Sequence, residues 1–378
     1  MNNNKLIISD FHNGCLLGFQ ILDDRLTRIY NFDEESILGN IYCGYVRDVV
    51  KNINAAFVEF DKDKKGFYPL RNDTDMIHQG DKILVQVSGD RIKSKEYSLT
   101  SKINLNSECL VLTVGKADIS ISHKITNKAT REGLKSLLGG YRNEEYGFVL
   151  RTNCTEFPPE KIREQADSLI EQWTQIKQKY EHAVAKSALL KKDYLTDICR
   201  EYIFKYGGSI LTDNVTVYEN LSANNVNVIL NEEGKISLCN KYSLEKHLRE
   251  ALCKKVWLKS GAYLVIEQTE ALTVIDVNTG KADCRTKRNE TIKKINMEAA
   301  QEIARQIQVR NLSGIIIVDF INMECKENYF KLEQFMKELV QGDFLPCCIE
   351  GFTKLGLMEI SRKKKEKPLH EILKNESH

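Results

Sequence analysis

Two apolar stretches of this 378-residue chain each carry an aspartate near their end. In TVIDVNTG the acid is Asp276, followed two positions later by Asn278, and in GIIIVDFINM it is Asp319. Because side chains alternate along a strand, Asn278 would share a face with Asp276. Two carboxylates and an amide oxygen, without His or Cys, form a hard oxygen site. Such a site suits Mg²⁺, which takes one or two carboxylates and keeps waters for a phosphate ligand, and Mn²⁺ could substitute.

The elements around the two aspartates predict that they meet. GAYLVIEQTEALTVIDVN is predicted to form a hairpin, and the next segment has apolar residues on one helical face at Ile292, Ile295, Ala299, Ile303 and Ile307. NLSG ends that helix, with Gly314 expected at the left-handed cap position, and IIIVDF is predicted as a strand buried on both faces. Strand, helix and strand make a crossover between parallel strands. Their C-terminal ends meet at one sheet edge, where α/β folds bind ligands.

A lone aspartate at a strand end is more often a cap or turn residue. Here two such aspartates accompany two basic segments, residues 281–294 and 354–367, which each hold six basic and two acidic side chains in a chain of net charge +2. Either segment alone would be a solvated face, but together they favour a polyanionic partner. On a phosphodiester, attack by a metal-activated water would leave a 5′-phosphate and a 3′-hydroxyl. Attack by an RNA 2′-hydroxyl would leave a cyclic phosphate instead.

Composition indicates a soluble protein of two to four domains, because the chain is too long for one ordinary core. No apolar run approaches the roughly 20 residues that span a bilayer. The N-terminus, MNNNKLIISDFHNG, lacks the pattern of a signal peptide, so we expect a cytoplasmic protein. The eleven cysteines are irregularly spaced without a C-x-x-C motif, which favours reduced thiols.

Five short strand patterns follow one another between residues 39 and 103: GNIYCGYVRDVV, NAAFVEFD, KGFYPL, GDKILVQVSG and EYSLTSKI. This spacing suits a small β-barrel. Phe57, Phe67 and Tyr68 lie on these strands, where aromatic rings either stack bases or fill the core, and the pattern does not separate the two. Downstream, Pro158 and Pro159 begin a long amphipathic helix. SILTDNVTVYEN is predicted as strand, and SLEKHLREALCKKV as helix.

Three blocks, QTEALTVIDVNTG, INMEAAQEIARQIQVRNLSGIIIVDFINM and GFTKLGLMEISRKK, closely resemble the catalytic region of the bacterial ribonuclease E/G family. GNIYCGYV, NAAFVEF and KGFYPL resemble the family's inserted OB-type RNA-binding barrel, and GFVLRTNC resembles its 5′-end sensor. The resemblance implies an α/β multidomain fold. Its expected parts are an RNase H-like subdomain (1–38 with 190–255), an OB-type barrel (39–108), a 5′-sensor with a helical segment (109–189) and a DNase I-like α/β catalytic subdomain (256–378).

The resemblance also implies roles for single residues. It assigns metal-dependent cleavage to Asp276, Asn278 and Asp319, with the two aspartates as metal ligands. It assigns binding of the substrate 5′-monophosphate to Arg151, Thr152 and Lys124. It assigns RNA binding on the barrel to Phe57 and Phe67. Lys124 stands in ISHKIT where the family usually has Arg, so a weaker 5′-phosphate preference is expected. Asn322 replaces an acid of the family's DFIDM, which should alter the surroundings of the metal more than its binding.

The expected activity is Mg²⁺-dependent cleavage of single-stranded RNA, stimulated by a 5′-monophosphate, in rRNA processing and mRNA decay. The alternative is a non-catalytic protein that binds RNA ends, whereas a phosphohydrolase for small nucleotides would leave the barrel unexplained. The chain ends at LHEILKNESH, where relatives continue into a Cys-x-x-Cys zinc link and a small C-terminal domain. We therefore expect no zinc and no zinc-linked oligomer, and a monomer or weak dimer, in a short form that is either natural or trimmed.

Overall fold

The computed structural model describes residues 3–11, 14–33, 36–70, 77–89, 96–141, 143–232, 236–281, 288–365 and 367–374. The chain divides into a discontinuous unit, Met1–Glu35 with Ile198–His378, and an inserted unit, Ser36–Asp197. None of the helices in these described ranges is long and apolar enough to cross a membrane. None of the ten cysteines in these ranges forms a disulfide.

The strands, in chain order, are β1 (Lys5–Asp10), β2 (Leu16–Leu22), β3 (Arg25–Asn31), β4 (Ile41–Val50), β5 (Ala55–Asp61), β6 (Lys64–Pro69), β7 (Lys82–Gly89), β8 (Tyr97–Thr100), β9 (Asn104–Asn106), β10 (Leu110–Val114), β11 (Ile119–Ile121), β12 (Tyr146–Leu150), β13 (Ser187–Leu190), β14 (Ser209–Thr212), β15 (Ile229–Leu230), β16 (Lys255–Trp257), β17 (Tyr263–Gln268), β18 (Leu272–Asn278), β19 (Gly314–Asp319), β20 (Cys347–Phe352) and β21 (Met358–Arg362). The helices are α1 (Lys128–Leu137), α2 (Pro159–His182), α3 (Tyr194–Tyr206), α4 (Val215–Ala223), α5 (Leu238–Lys241), α6 (Leu244–Leu252), α7 (Arg288–Val309), α8 (Lys326–Val340) and α9 (Leu369–Lys374).

The inserted unit begins with a closed five-stranded barrel, as the sequence predicts. Its order is β4-β5-β6-β8-β7, and it closes because β4 pairs with both β5 and β7. Val58, Phe60 and Leu99 are buried inside it. A Cβ at Gly66 would lie 2.6 Å from the Leu99 side chain, so only glycine permits this approach. Tyr68 also points into the core, where 4% of it is exposed, so it is not a surface stacking residue.

A second sheet of the inserted unit has the order β11-β12-β10-β9 and packs against α2. The helix begins at Pro159, with Pro158 as its N-cap residue, because a first-turn proline has no need of an N–H. The apolar stripe predicted for this helix is confirmed at five positions, whose side chains are buried: Ile162, Ala166, Leu169, Trp173 and Ile176. Tyr180, the last residue of the predicted stripe, is half-buried. Within this sheet β11 runs parallel to β12, which brings the residues after both strands to the same edge.

The first sheet of the discontinuous unit is mixed, with the order β15-β14-β1-β2-β3. The strand β1 is parallel to β14 and antiparallel to β2. The predicted strand in NVTVYEN is wrong, because this segment forms α4. Asn214 caps that helix by accepting a hydrogen bond from the Val217 N–H at 2.9 Å. One capping side chain therefore outweighs the β-propensity of the branched residues that follow it.

The second sheet of the discontinuous unit has the order β16-β17-β18-β19-β21-β20. Its buried face packs against α7 and α8. The other face exposes Trp257, Val274 and Ile315. The predicted burial of β19 on both faces is therefore wrong: Ile316 and Val318 are buried, whereas Ile315 on the opposite face is 55% exposed. Both helices lie on one side of the sheet, which leaves the other side open.

The helix α7 ends differently from the prediction. Asn311, with φ of +49°, takes the left-handed position, and the Leu312 N–H donates to the Ile307 carbonyl at 2.9 Å, as in a Schellman cap. Gly314, with φ of +85°, instead begins β19. A Cβ at Gly314 would meet only the flexible end of the Lys364 side chain, so the dihedral angle is what favours glycine there.

One residue of the second basic segment belongs to the core. Arg362 is 2% exposed and forms a bidentate ion pair with Asp343, at 2.6 Å from Nε and 2.9 Å from Nη2. Its remaining nitrogen donates to Asn311 and to the Leu312 carbonyl. This guanidinium is not available to a polyanion, while Lys363 and Lys364 are exposed. Residues 282–287 of the first basic segment lie outside the described residues.

Replacing Arg362 should destabilise the fold strongly, because Arg362→Met leaves the Asp343 carboxylate buried without a cation. We expect the free energy of unfolding to fall by about 3–5 kcal/mol, measured by urea denaturation. Lys246→Met is the matched control, since Lys246 and Glu250 form an exposed pair with an N to O distance of 3.9 Å. That control should stay within about 0.5 kcal/mol of the parent. Equal values for the two variants would contradict a structural role for the buried pair.

Candidate functional site

The two predicted aspartates meet at one sheet edge. The strands β18 and β19 are parallel neighbours, and their register pairs Asp276 directly with Asp319. Both side chains are exposed, whereas Ile275 and Val318 beside them are fully buried. Adjacent strands are about 4.8 Å apart, so the two carboxylates can reach one ion. Both acids therefore lie on the open face of the sheet.

Asn278 takes part in this site through Asp276. Its amide nitrogen donates a hydrogen bond of 2.7 Å to Oδ2 of Asp276, so Asn278 orients the carboxylate. Over the described ranges, no group of three or more His, Cys, Asp or Glu side chains could hold a metal. The candidate metal site therefore offers two carboxylates. That donor set matches Mg²⁺, which is commonly held by one or two carboxylates together with waters and substrate phosphates.

Asn296 is a site residue that the sequence reasoning missed. It is fully buried in α7, where its amide nitrogen donates to the Ile321 carbonyl at 2.7 Å and its oxygen accepts from the Ile321 N–H at 3.1 Å. These bonds fix the backbone two residues after Asp319. An asparagine in a helix interior is disfavoured, and Asn296 follows the buried Ile295, so its position could have signalled a tertiary partner.

Asn322, the predicted departure from the family pattern, is exposed beyond the end of β19. The Tyr329 hydroxyl lies 3.5 Å from Oδ1 of Asn322 and accepts a hydrogen bond of 3.0 Å from the Met323 N–H. The Tyr329 ring also packs edge-on against Phe352, with centroids 5.0 Å apart. Neutral side chains thus hold the segment that follows Asp319.

The predicted 5′-phosphate residues come together in the inserted unit. Arg151 and Thr152 follow β12, and Lys124 follows the parallel β11. All three are exposed. The Arg151 N–H donates to the Cys109 carbonyl at 2.9 Å, which anchors the backbone at this edge. The arrangement presents a guanidinium, an ammonium group and a hydroxyl, which are suitable phosphate ligands.

Ser122 connects the two sides of this cluster and was not predicted. Its hydroxyl lies 3.0 Å from the Thr152 hydroxyl, and the Lys124 N–H lies 3.4 Å from the same oxygen. The Arg131 guanidinium donates at 2.9 Å to the Ser122 and Ile125 carbonyls and so holds the loop closed. No local motif marks Ser122, because its role depends on the pairing of β11 with β12.

The barrel places its two predicted aromatic residues on the outside. Phe57 and Phe67 are register partners on β5 and β6, half-buried, with ring centroids 6.3 Å apart at 76°. Glu59 lies two residues from Phe57 on the same strand and forms an ion pair with Lys186. The hydrogen bond from Lys186 holds the pKa of the Glu59 carboxyl below its usual range. The lysine thus balances the negative charge beside the aromatic pair.

The chain matches a known protein family over most of its length. The model of the ribonuclease E/G family matches residues 104–365. The chain belongs to the ribonuclease E/G family. The range matched to the ribonuclease E/G family contains the Asp276–Asp319 pair, Asn296 and the Arg151 cluster, while the barrel aromatics lie before it.

Relatives extend the match over most of the chain. Ribonuclease G of Salmonella typhimurium (strain SL1344) is 31% identical over an alignment of 368 positions, which covers 90% of this chain and 75% of the relative. Ribonuclease G of Escherichia coli (strain K12) is 30% identical over an alignment that also covers 90% of this chain and 75% of the relative. A ribonuclease E/G-like protein of Pyropia yezoensis is 30% identical over an alignment of 404 positions, which covers 99% of this chain and 78% of the relative.

Loss of the Asn296 amide should loosen the end of β19. In Asn296→Ala the N–H and carbonyl of Ile321 lose their partner, so we expect the free energy of unfolding to fall by about 1–3 kcal/mol. The Ile321 amide should also exchange its hydrogen faster. Asn289→Ala is the control, because Asn289 lies on the same helix but makes an exposed hydrogen bond to Glu324. An unchanged Ile321 exchange rate in Asn296→Ala would contradict the positioning role.

Proposed function

We propose that this chain is a metal-dependent endoribonuclease that cleaves single-stranded RNA at the Asp276–Asp319 pair. Its family membership gives it an endoribonuclease role in RNA processing. The observation that carries the site assignment is the register of β18 and β19, which pairs two exposed aspartates inside the family-matched range. A protein that only binds RNA ends has no need for such a pair.

The proposed reaction is hydrolysis of a phosphodiester. Asp276 and Asp319 would hold Mg²⁺, which supplies charge neutralisation at the phosphate and activation of a water. The water oxygen loses a proton and bonds to phosphorus, the bond from phosphorus to the 3′-oxygen breaks, and that oxygen takes up a proton. The products are a 5′-phosphate and a 3′-hydroxyl. Asn278 keeps the Asp276 carboxylate in one orientation through its 2.7 Å hydrogen bond.

Two surfaces of the inserted unit are proposed to contact the same substrate class. Arg151, Thr152 and Lys124, with Ser122 between them, would bind the 5′-monophosphate of an RNA and stimulate its cleavage. Phe57 and Phe67 would stack bases, which is sequence-tolerant because every base has a π-face. Their outward position supports this, since neither ring is needed to fill the barrel core.

The finer subdomain assignment follows the same resemblance. We propose an RNase H-like subdomain at 1–38 with 190–255 and an OB-type barrel at 39–108. A 5′-sensor with its helix would occupy 109–189, and a DNase I-like catalytic subdomain 256–378. The mixed sheet built on β1, the closed barrel and the six-stranded sheet with its two helices support these assignments.

The site assignment predicts loss of cleavage in Asp276→Asn and Asp319→Asn. Each should lower kcat on a short A/U-rich single-stranded RNA by more than about 100-fold, because each removes a proposed metal ligand. Asn278→Ala should cost about 10–100-fold, the usual effect of losing a group that orients a ligand. Cleavage should stop in EDTA and return with Mg²⁺.

Glu267→Gln serves as the control for these variants, because Glu267 is an exposed carboxylate on the neighbouring strand outside the Asp276 row. It should cleave like the parent. RNA binding, measured by fluorescence anisotropy, should persist in both aspartate variants. Retained cleavage in both would reject the site, and binding without cleavage by the parent would favour the non-catalytic alternative.

The sensor assignment predicts a dependence on the RNA 5′ end. The parent should cleave 5′-monophosphate RNA faster than the 5′-hydroxyl form, and Arg151→Ala should reduce this rate ratio about tenfold or more, since it removes a charge-assisted hydrogen bond. Lys124→Arg should raise the ratio by restoring a planar fork. Arg163→Ala, an exposed arginine on α2, should leave it unchanged. Equal parent rates on the two RNAs would reject the assignment.

A further inference from the structure

An aromatic pair on the open face of the six-stranded sheet, with one ring exposed and the other half-buried, has no assigned role. Trp257 on the edge strand β16 and Tyr263 on β17 pack with ring centroids 5.1 Å apart at 59°. The Lys255 ammonium nitrogen lies 3.6 Å from the Tyr263 centroid and 4.2 Å from that of Trp257. Trp257 is 55% exposed. Tryptophan is highly buried on average, so an indole this exposed points to a contact surface.

Strand register ties this pair to the candidate metal site. Trp257 pairs with Tyr263, and Tyr263 pairs with Asn278, so the three side chains form one row on one face. The next row consists of Lys255, Val265, Asp276 and Asp319. Two strand spacings separate Trp257 from Asn278, about 10 Å. Asp276 lies in the next row, two strand spacings across and two residues along from Trp257, or about 12 Å between backbones. Both side chains project from the same face, so a phosphate at the two aspartates can have an adjoining base at Trp257.

The chemistry of the cluster suits a single-stranded nucleic acid. Aromatic faces stack bases, and a lysine among them attracts the backbone phosphate. Neither Lys255 nor the Trp257 indole N–H forms an ion pair or hydrogen bond with any part of the chain that the structure describes. The flexible four-carbon stem of Lys255 allows the ammonium group to leave the rings for a phosphate when a base arrives.

We propose that Trp257 and Tyr263 form a stacking subsite for a base adjoining the scissile phosphate, with Lys255 contacting a neighbouring phosphate. This subsite rests on the proposed function, because Asp276 and Asp319 define where the scissile phosphate lies. Stacking would hold a flexible RNA strand whatever the identity of its base, which two carboxylates alone cannot do. It also requires an unpaired base, which favours single-stranded over duplex substrates.

Kinetics on an RNA with one cleavage site test the subsite. We expect Trp257→Ala to lower kcat/KM by about 5- to 150-fold, the effect of losing one stacked base. The parent should lose a similar factor on an RNA made abasic at one of the two positions that flank the scissile bond. Trp257→Ala should lose nothing further on that abasic RNA, while Trp257→Phe should stay within about threefold of the parent on intact RNA.

Ile315→Ala is the matched control, because Ile315 is also 55% exposed on this face but lies at the opposite end of β19 from Asp319. It should cleave both RNAs like the parent. Equal losses for Trp257→Ala on intact and abasic RNA, with a lowered unfolding midpoint, would make Trp257 structural and overturn the proposal. If Trp257→Ala changed the oligomeric state while cleavage did not depend on the flanking base, this face would be a protein contact, and the proposal would also be overturned.

Tryptophan fluorescence gives a readout that is independent of cleavage. The chain has two tryptophans, and the other, Trp173, is 4% exposed. In EDTA, intact RNA should quench the parent, whereas Trp257→Phe should lose that quenching. If the aspartate variants still cleave, the proposed catalytic site fails while quenching still reports the subsite. If the aspartate variants are inactive, Trp257→Ala cleaves normally and RNA does not quench the parent, the proposed subsite fails and the proposed function stands.

Discussion

The pairing of β18 with β19 is the constraint on which the candidate active site depends. In a parallel pair, the register decides which side chains are neighbours and which face they occupy. Here it sets Asp276 beside Asp319 on the open face, while Ile275 and Val318 enter the core. Asn296 holds the end of β19 through both backbone groups of Ile321. One set of hydrogen bonds therefore fixes the core and the candidate site together.

The two candidate polar sites share a geometry and differ in charge. Each lies where two neighbouring parallel strands end, β18 with β19 in one unit and β11 with β12 in the other. The residues that follow β11 and β12 carry cations and hydroxyls, which are groups suited to a phosphate ligand. At the ends of β18 and β19 stand carboxylates, which need a cation before they can act on a phosphate. The side chains at the strand ends therefore decide the kind of ligand.

The sequence predicts those elements whose signal is local and periodic. The five barrel strands, the buried stripe of α2 and the crossover that joins Asp276 to Asp319 all follow from spacing. IIIVDF has no alternation, so its exposed face is set only by where the helices pack. Arg362 resembles its basic neighbours until the fold brings Asp343, nineteen positions earlier, against it. Asn296 and Ser122 carry no motif, because their partners belong to other elements.

Because side chains alternate along β19, a change in the length of this strand would change which side chains face the candidate site. Asp319 is exposed, whereas Val318 and Phe320 on either side of it are buried. Deleting one residue from the middle of the strand would turn the aspartate toward the core, since a one-residue slip reverses every side chain. The carboxylate would then be desolvated without a partner. Deleting two residues would return Asp319 to the open face but displace it by about 7 Å from Asp276. We therefore expect β19 to tolerate substitutions but not a change in its length.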